Sequence, residues 1–258
     1  MKRALVLLTV SAVALPALAQ DASGDGDISR DPAKKMVLAY TVFDNGLSVA
    51  FRCIDGSFNA VLAGLPPTRE DRRTLELAFR DGPDRRTSWT STTDSTVVVG
   101  DFPAPLARQF RQGGALKVTV PQGAADGRNL RYEVQLPVSG AAVDEALTAC
   151  DRPLVDPRDA ELEAIGASGL SGGVAWDRQP RPRYPSTRYA SGFAVLTCLT
   201  TPEGGLRECV VEMEHPHDGR FGKASLDAAR RARVRNDADR TQPVPVRRIS
   251  FRTFFRMG

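Results

Sequence analysis

The sequence predicts an α+β protein with a β-rich N-terminal unit and a small C-terminal unit of strand, strand, helix, strand order. Three observations carry this expectation. Short runs of β-branched and aromatic residues recur between turn signals from residue 36 onward, and helical spacing appears in only a few places. A Gly/Pro-rich stretch at 151–179 separates two halves that hold two cysteines each.

The chain opens with Lys2 and Arg3, an apolar run over 4–15, and Ala17-Leu18-Ala19 ahead of Gln20. A basic start, a short apolar core and a small-residue site describe a secretory signal over 1–19, with cleavage expected after Ala19. Crossing a bilayer takes about twenty apolar residues, more than this run offers. No cysteine stands near the site to carry a lipid. The expectation is an exported, soluble, periplasmic protein. Asp, Gly and Ser dominate 21–31 and leave little apolar surface to bury, so 20–35 reads as a flexible leader.

Residues 36–150 form the first expected unit. Strands are expected at 36–43, 47–53, 57–62, 74–79, 96–99, 116–120 and 130–136. Asp44-Asn45-Gly46 joins the first two, because Asn and Gly tolerate the positive φ of a hairpin turn. Helical spacing over 103–112 sets Leu106 and Phe110 on one face. A second helix, capped by Ser139, buries Val143 and Leu147 and closes at Cys150. Thiols pair in an oxidising compartment, and four cysteines allow three pairings. One bridge per unit is favoured. Cys53 to Cys150 closes a long unfolded loop, on the order of 4–5 kcal/mol in the chain-entropy model.

The other pairing, Cys198 to Cys209, rests on the register of a hairpin. With Glu203-Gly204 as central turn residues, Pro202 faces Gly205, Thr200 faces Arg207, and Cys198 faces Cys209. Directly opposed antiparallel residues bring their Cα atoms to about 4.5–5.5 Å, a span that a disulfide bridges. This register sets Ala194 and Leu196 against Met213 and Val211 on an apolar face and sends Glu208 and Glu212 to the opposite side. A helix from near Asp218 places Phe221, Ala224, Ala228 and Ala232 on one side. The last strand, 247–255, alternates Ile249, Phe251, Thr253 and Phe255 with Arg248, Ser250 and Arg252.

Pro182-Arg183-Tyr184-Pro185, the strand 192–199, Gly204-Gly205-Leu206, the helix with Ala224-Ser225-Leu226, Pro243-Val244 and Ile249-Ser250-Phe251 resemble the C-terminal domain of TonB in order and spacing. TonB is the energy transducer of outer-membrane transport. The resemblance covers 180–258, and 36–150 resembles no recognised family. It implies recognition by strand addition at Arg247, Arg248, Ile249, Ser250, Phe251 and Arg252, where an outer-membrane receptor or other envelope protein would add an extended segment. The alternative is that this strand only completes its sheet, or pairs with a second copy to give a homodimer. TonB transducers carry an uncleaved membrane anchor and a proline-rich spacer. This sequence shows neither, so the expected role is that of a binding or adaptor protein.

Net charge is +4, yet 180–258 holds fifteen Lys or Arg against eight Asp or Glu. The signal sequence excludes nucleic acid as partner. A basic tail then reads either as a solvated face or as a surface for anionic cell wall, which makes a structural or cell-wall-associated envelope module the rival function. Catalysis finds little support. The two histidines, His215 and His217, share one turn without the four-apart spacing of a zincin, and no Gly-x-Ser-x-Gly stands in the strand-to-helix context of a nucleophile, since 169–173 lies inside the Gly/Pro-rich stretch. The expectation is no enzyme, no metal and no cofactor, with an enzyme sited in the first unit as the lesser alternative. Trp89 is expected in core or rim, and Trp176 packed on the C-terminal unit.

Overall fold

The structure, a computed structural model, describes residues 26–165, 169–170 and 172–257. The expected signal segment and its cleavage site lie outside them. The chain is a strand-rich mixture of α and β. Its first part runs β1 (Asp27–Asp31), β2 (Met36–Val42), β3 (Ser48–Ile54), β4 (Ser57–Ala63), β5 (Arg72–Phe79), β6 (Arg85–Ser91), β7 (Val98–Gly100), α1 (Pro103–Phe110), β8 (Gly114–Val120), β9 (Leu130–Leu136) and α2 (Ala141–Ala149). The strands form one antiparallel sheet in the order β1-β2-β3-β4-β7-β6-β5-β8-β9.

Alternation dictates the core of this sheet. Val49, Phe51 and Cys53 of β3, Leu75 and Leu77 of β5, and Leu116, Val118 and Val120 of β8 turn to one interior. Phe110 of α1 meets Phe51 edge-on at 5.1 Å, and α2 adds Val143, Ala146 and Leu147. Trp89 is a core residue, 1% exposed. Cys53 and Cys150 are bridged with Cα atoms 5.5 Å apart, tying β3 to the end of α2.

Two elements here depart from expectation. The leader is ordered in part, because Asp27–Asp31 pairs residue for residue with β2. Its polar side chains stay mostly exposed, and main-chain pairing with a strong strand holds it, aided by Arg30 on Glu145 of α2 at 2.5 Å. β6 went unforeseen because Arg85-Arg86-Thr87-Ser88 lacks apolar alternation; its pairing with both β5 and β7 supplies the order. The cap of α2 also differs: Gly140 is the cap residue, and Ser139 accepts from the Ala141 N–H at 3.2 Å.

The second part runs α3 (Asp159–Ala164), β10 (Val174–Arg178), β11 (Ser191–Thr200), β12 (Leu206–His215), α4 (Phe221–Ala229), β13 (Arg233–Asn236) and β14 (Arg248–Arg256). β12-β11-β14 form a three-stranded antiparallel sheet, and β10 pairs with β13. The expected strand, strand, helix, strand series is therefore interrupted by β13 and preceded by β10. The stretch 151–179, read as a linker with room for a short helix at 159–165, supplies α3 and β10 and sends Asp156, Arg158 and Asp159 into the packed interface.

The hairpin keeps its disulfide but not its turn. Cys198 and Cys209 are bridged at a Cα separation of 4.1 Å. Gly204 N–H donates to Thr201 O at 2.9 Å, which places Pro202 and Glu203 at the centre, and Gly204 follows at φ +79°. This is the three-residue loop in which a left-handed glycine corrects strand twist. A Cβ on Gly204 would also stand 2.3 Å from Val234 O. Two register shifts follow along β12. One lies beside Glu208, whose φ is +50°. The other makes Glu212 the extra residue between Val211, opposite Leu196, and Met213, opposite Val195.

That second bulge re-aims the strand. Val211 stays with Ala194, Leu196, Cys198 and Phe221 under α4, whereas Met213 joins Phe193 and Val195 on the opposite face. There they pack against Val61 and Val99 of the first sheet and Phe102 at the start of α1. Both faces of the small sheet are buried. Beside this apolar contact runs a charged seam. Arg108 of α1 holds Asp159 through two bonds of 2.6 Å and accepts company from Asp156 at 3.5 Å. Arg158 bonds Asp156 at 2.7 Å and Glu212 at 2.9 Å, and Thr197 donates to Glu212 at 2.5 Å. Burial alone would raise the Asp156 carboxyl; Arg158 and Arg108 outweigh it and hold the group below the usual range.

Glu212, 2% exposed, is thus the buried anion through which the small sheet grips the seam. Glu212→Ala should lower unfolding free energy by about 2–4 kcal/mol in urea titration, since it strips charged partners from buried groups. Arg207→Ala, which breaks an exposed pair with Glu208, should cost less than about 1 kcal/mol.

Candidate functional site: a groove between the two sheets

β14 stands at the margin of its sheet, with β11 on one side only. Along its outer side lies a groove of about 400 Å³. The facing wall comes from the first sheet and α1, including Leu77, Phe79, Trp89 and Leu106, and Phe251 and Phe254 of β14 form the near wall. Trp176 closes one end by meeting Phe251 edge-on at 5.5 Å, which places it on the C-terminal sheet as the sequence suggests.

The six strand residues singled out from sequence fall into different environments. Arg247 is exposed, and its carbonyl accepts from Thr200 N–H at 2.9 Å. Arg248 reaches Glu161 of α3 at 2.7 Å, and Ile249 is fully buried. Ser250 N–H donates outward to Gly169 O at 2.6 Å, so the margin is already occupied at that point. Antiparallel strands alternate the side to which main-chain groups point. With Ser250 pointing outward, Arg252 and Phe254 do the same, and no backbone partner among the described residues takes their outward groups. The open margin is therefore the second half of β14, which begins at Arg252, the last of the six residues. Phe254 is half exposed there.

Arg252 is the unusual side chain. Only 6% of it is exposed, it pairs with Asp101, and it donates to Thr90 Oγ1. Its guanidinium lies over the Phe193 ring at 4.8 Å and the Phe254 ring at 5.5 Å. Its Nε is buried without a hydrogen-bond partner. Burial, and after it the neighbouring Arg72, pull its pKa down to about 9. It remains a cation at neutral pH, held by one carboxylate. Arg72 donates to Ser88 Oγ at 3.3 Å and has no acidic partner among the described residues. Arg72, Thr74 and Ser88 also line a second concavity of about 630 Å³ toward Pro66 and Gln122, so the two hollows share a border.

The first-sheet wall was missed from sequence. Arg72-Arg73 and Arg85-Arg86 are visible as doublets, yet only the crossing of two distant segments turns Arg72 and Asp101 toward β14.

The histidine turn has a structural part. Glu214 accepts from Gly222 N–H at 2.8 Å at the start of α4, and burial raises its carboxyl pKa despite that bond. His215 is packed against Phe193 with ring centres 5.8 Å apart, and its Nδ1 is buried without a partner. Burial first, then Arg52 and His217, lower its pKa. His217 lies 3.9 Å from Asp218, which Arg188 and Tyr189 also hold. Among the described residues no group of three His, Cys, Asp or Glu is arranged to hold a metal ion.

No family model and no curated protein matches the chain. Among solved structures, it is similar to the NMR structure of the TonB C-terminal domain of Pseudomonas aeruginosa, at 19% identity over 34% of this chain and 89% of that one, with a TM-score of 0.29. It is also similar to the crystal structure of invasion associated protein b from Bartonella henselae, at 18% identity over 48% of this chain and 93% of that one, with a TM-score of 0.35. Likenesses this distant leave function to be argued from the groove itself.

His215 gives the site's neighbourhood a pH dependence of defined sign. Its folded pKa lies below the unfolded value, so its contribution to stability is full above the unfolded pKa of about 6.5 and is lost as pH falls toward the folded value. Glu214 shifts upward and acts in the opposite sense. Comparing His215→Phe with the parent isolates the histidine: between about pH 7.5 and pH 5.5 the parent's urea midpoint should fall further than the variant's.

Proposed function

We propose that this chain is a non-catalytic binding protein of the cell envelope that holds an extended polypeptide segment in the groove by adding it to β14. The observation that carries the reading is the coincidence of an open strand margin with a walled hollow. Main-chain groups of Arg252 and Phe254 supply the hydrogen bonds of an added strand, and the apolar walls sort alternate side chains. An added strand rises about 3.3 Å per residue, so the open half of β14 accepts a short segment and the wider hollow beyond Arg72 leaves room for its flanks.

Export and periplasmic residence are part of the proposal. Both cysteine pairs are bridged and none is free, which suits an oxidising compartment. An outer-membrane receptor or another envelope protein would furnish the segment. The non-catalytic reading is supported by where the reactive side chains are used: His215 packs against Phe193, Glu214 takes the Gly222 N–H at the start of α4, and the buried acids anchor the seam.

Selection of random displayed peptides on the disulfide-intact protein should enrich sequences of alternating apolar character. Phe254→Pro removes an outward N–H from a marginal strand, a place where proline does not break the inner ladder. That variant should keep its cooperative melting yet lose the selected peptides. Unchanged capture by Phe254→Pro would refute strand addition, as would a selection that enriches nothing. A second copy seated on the same margin would appear instead as a concentration-dependent dimer that the substitution dissolves.

A further inference from the structure

We propose that the segment held in the groove is acidic, with one carboxylate seated between Arg72 and Arg252; this rests on strand addition at β14. Four arginines line the groove, Arg72, Arg85, Arg86 and Arg252, against two acids, Asp101 and Glu163. The acids are already engaged. Glu163 takes both Arg85 and the Gln109 amide, and Asp101 takes Arg252. Arg86 is satisfied from outside by Glu76 at 3.4 Å. The positive excess therefore concentrates at Arg72, which has a hydroxyl for company, and at Arg252, whose Nε lacks an acceptor.

Position makes this excess selective. Arg252 is nine-tenths buried, so its field is weakly screened, and Arg72 is near enough to oppose its charge. An arriving carboxylate bonds the exposed Arg72 in a charge-assisted contact and relieves the repulsion between the two guanidinium groups. The same strand that exposes Arg252's main chain buries its side chain at the groove. A ligand paired with that main chain thus carries its own side chains past Arg72 at a fixed height. A neutral segment forms the main-chain bonds but leaves the excess charge uncompensated.

The test uses the full, disulfide-intact chain and fluorescein-labelled peptides of alternating Val and Thr with one central Asp or, as the counterpart, one central Asn. Fluorescence anisotropy at low salt should show the Asp peptide bound about tenfold more tightly, a preference that shrinks at high salt. Arg72→Gln, at an exposed position, should collapse the preference, while Arg207→Gln on the distant hairpin should retain it. Equal affinity for the two peptides would overturn the acidic preference and leave strand addition standing. Absence of binding by both would overturn strand addition as well. A preference that survives in Arg72→Gln would overturn the placement of the carboxylate.

Discussion

The arrangement depends on burying the second face of the three-stranded sheet. β11 carries apolar side chains on both sides: Ala194, Leu196 and Cys198 turn toward α4, while Phe193 and Val195 turn toward the first sheet. Leaving the latter pair in water would expose a continuous apolar surface at the hairpin's base. Covering them brings Thr197 and Glu212 into the interior as well. A buried carboxylate is tolerable only with paired charge and full hydrogen bonding. Arg158 and Thr197 provide this; Asp156 balances Arg158 in turn, and Asp156 and Asp159 hold Arg108. The apolar contact brings the sheets together, and the ion seam fixes their angle.

Much of this was legible in the chain. The hairpin disulfide was read correctly although its turn was not, because the bulge beside Glu208 offsets the one-residue change in the turn, and the helix after it followed from the spacing of Phe221, Ala224 and Ala228. The run from Phe193 to Leu199 holds few polar residues, a pattern of strands buried on both faces. That signal gave way to simple alternation because Glu208 and Glu212 suggested a solvated side. Strict alternation fails where β12 bulges, and a bulge is a property of pairing that composition does not announce. β1 and β6 escaped for a related reason: their side chains stay polar, and neighbours define them through main-chain bonds.

The candidate site was half legible. The last strand was recognisable as marginal, and its chemistry was read at Arg247 to Arg252. Which half stays open is decided by Gly169, from a segment whose glycines and prolines suggested only a connector. The opposing wall lies far away in sequence at Arg72 and Trp89. No local pattern connects those residues to β14, because the connection is the docking of two sheets.

The groove therefore has no existence in either sheet taken alone. One wall is made early in the chain and the other at its end, so the cavity comes into being only after the two layers have met. Whatever occupies it touches both and must stabilise their union in proportion to its concentration over its dissociation constant. Occupancy is then a report of completed assembly: a chain whose halves have parted has nothing to offer a ligand, and a chain with a ligand in place is slower to part.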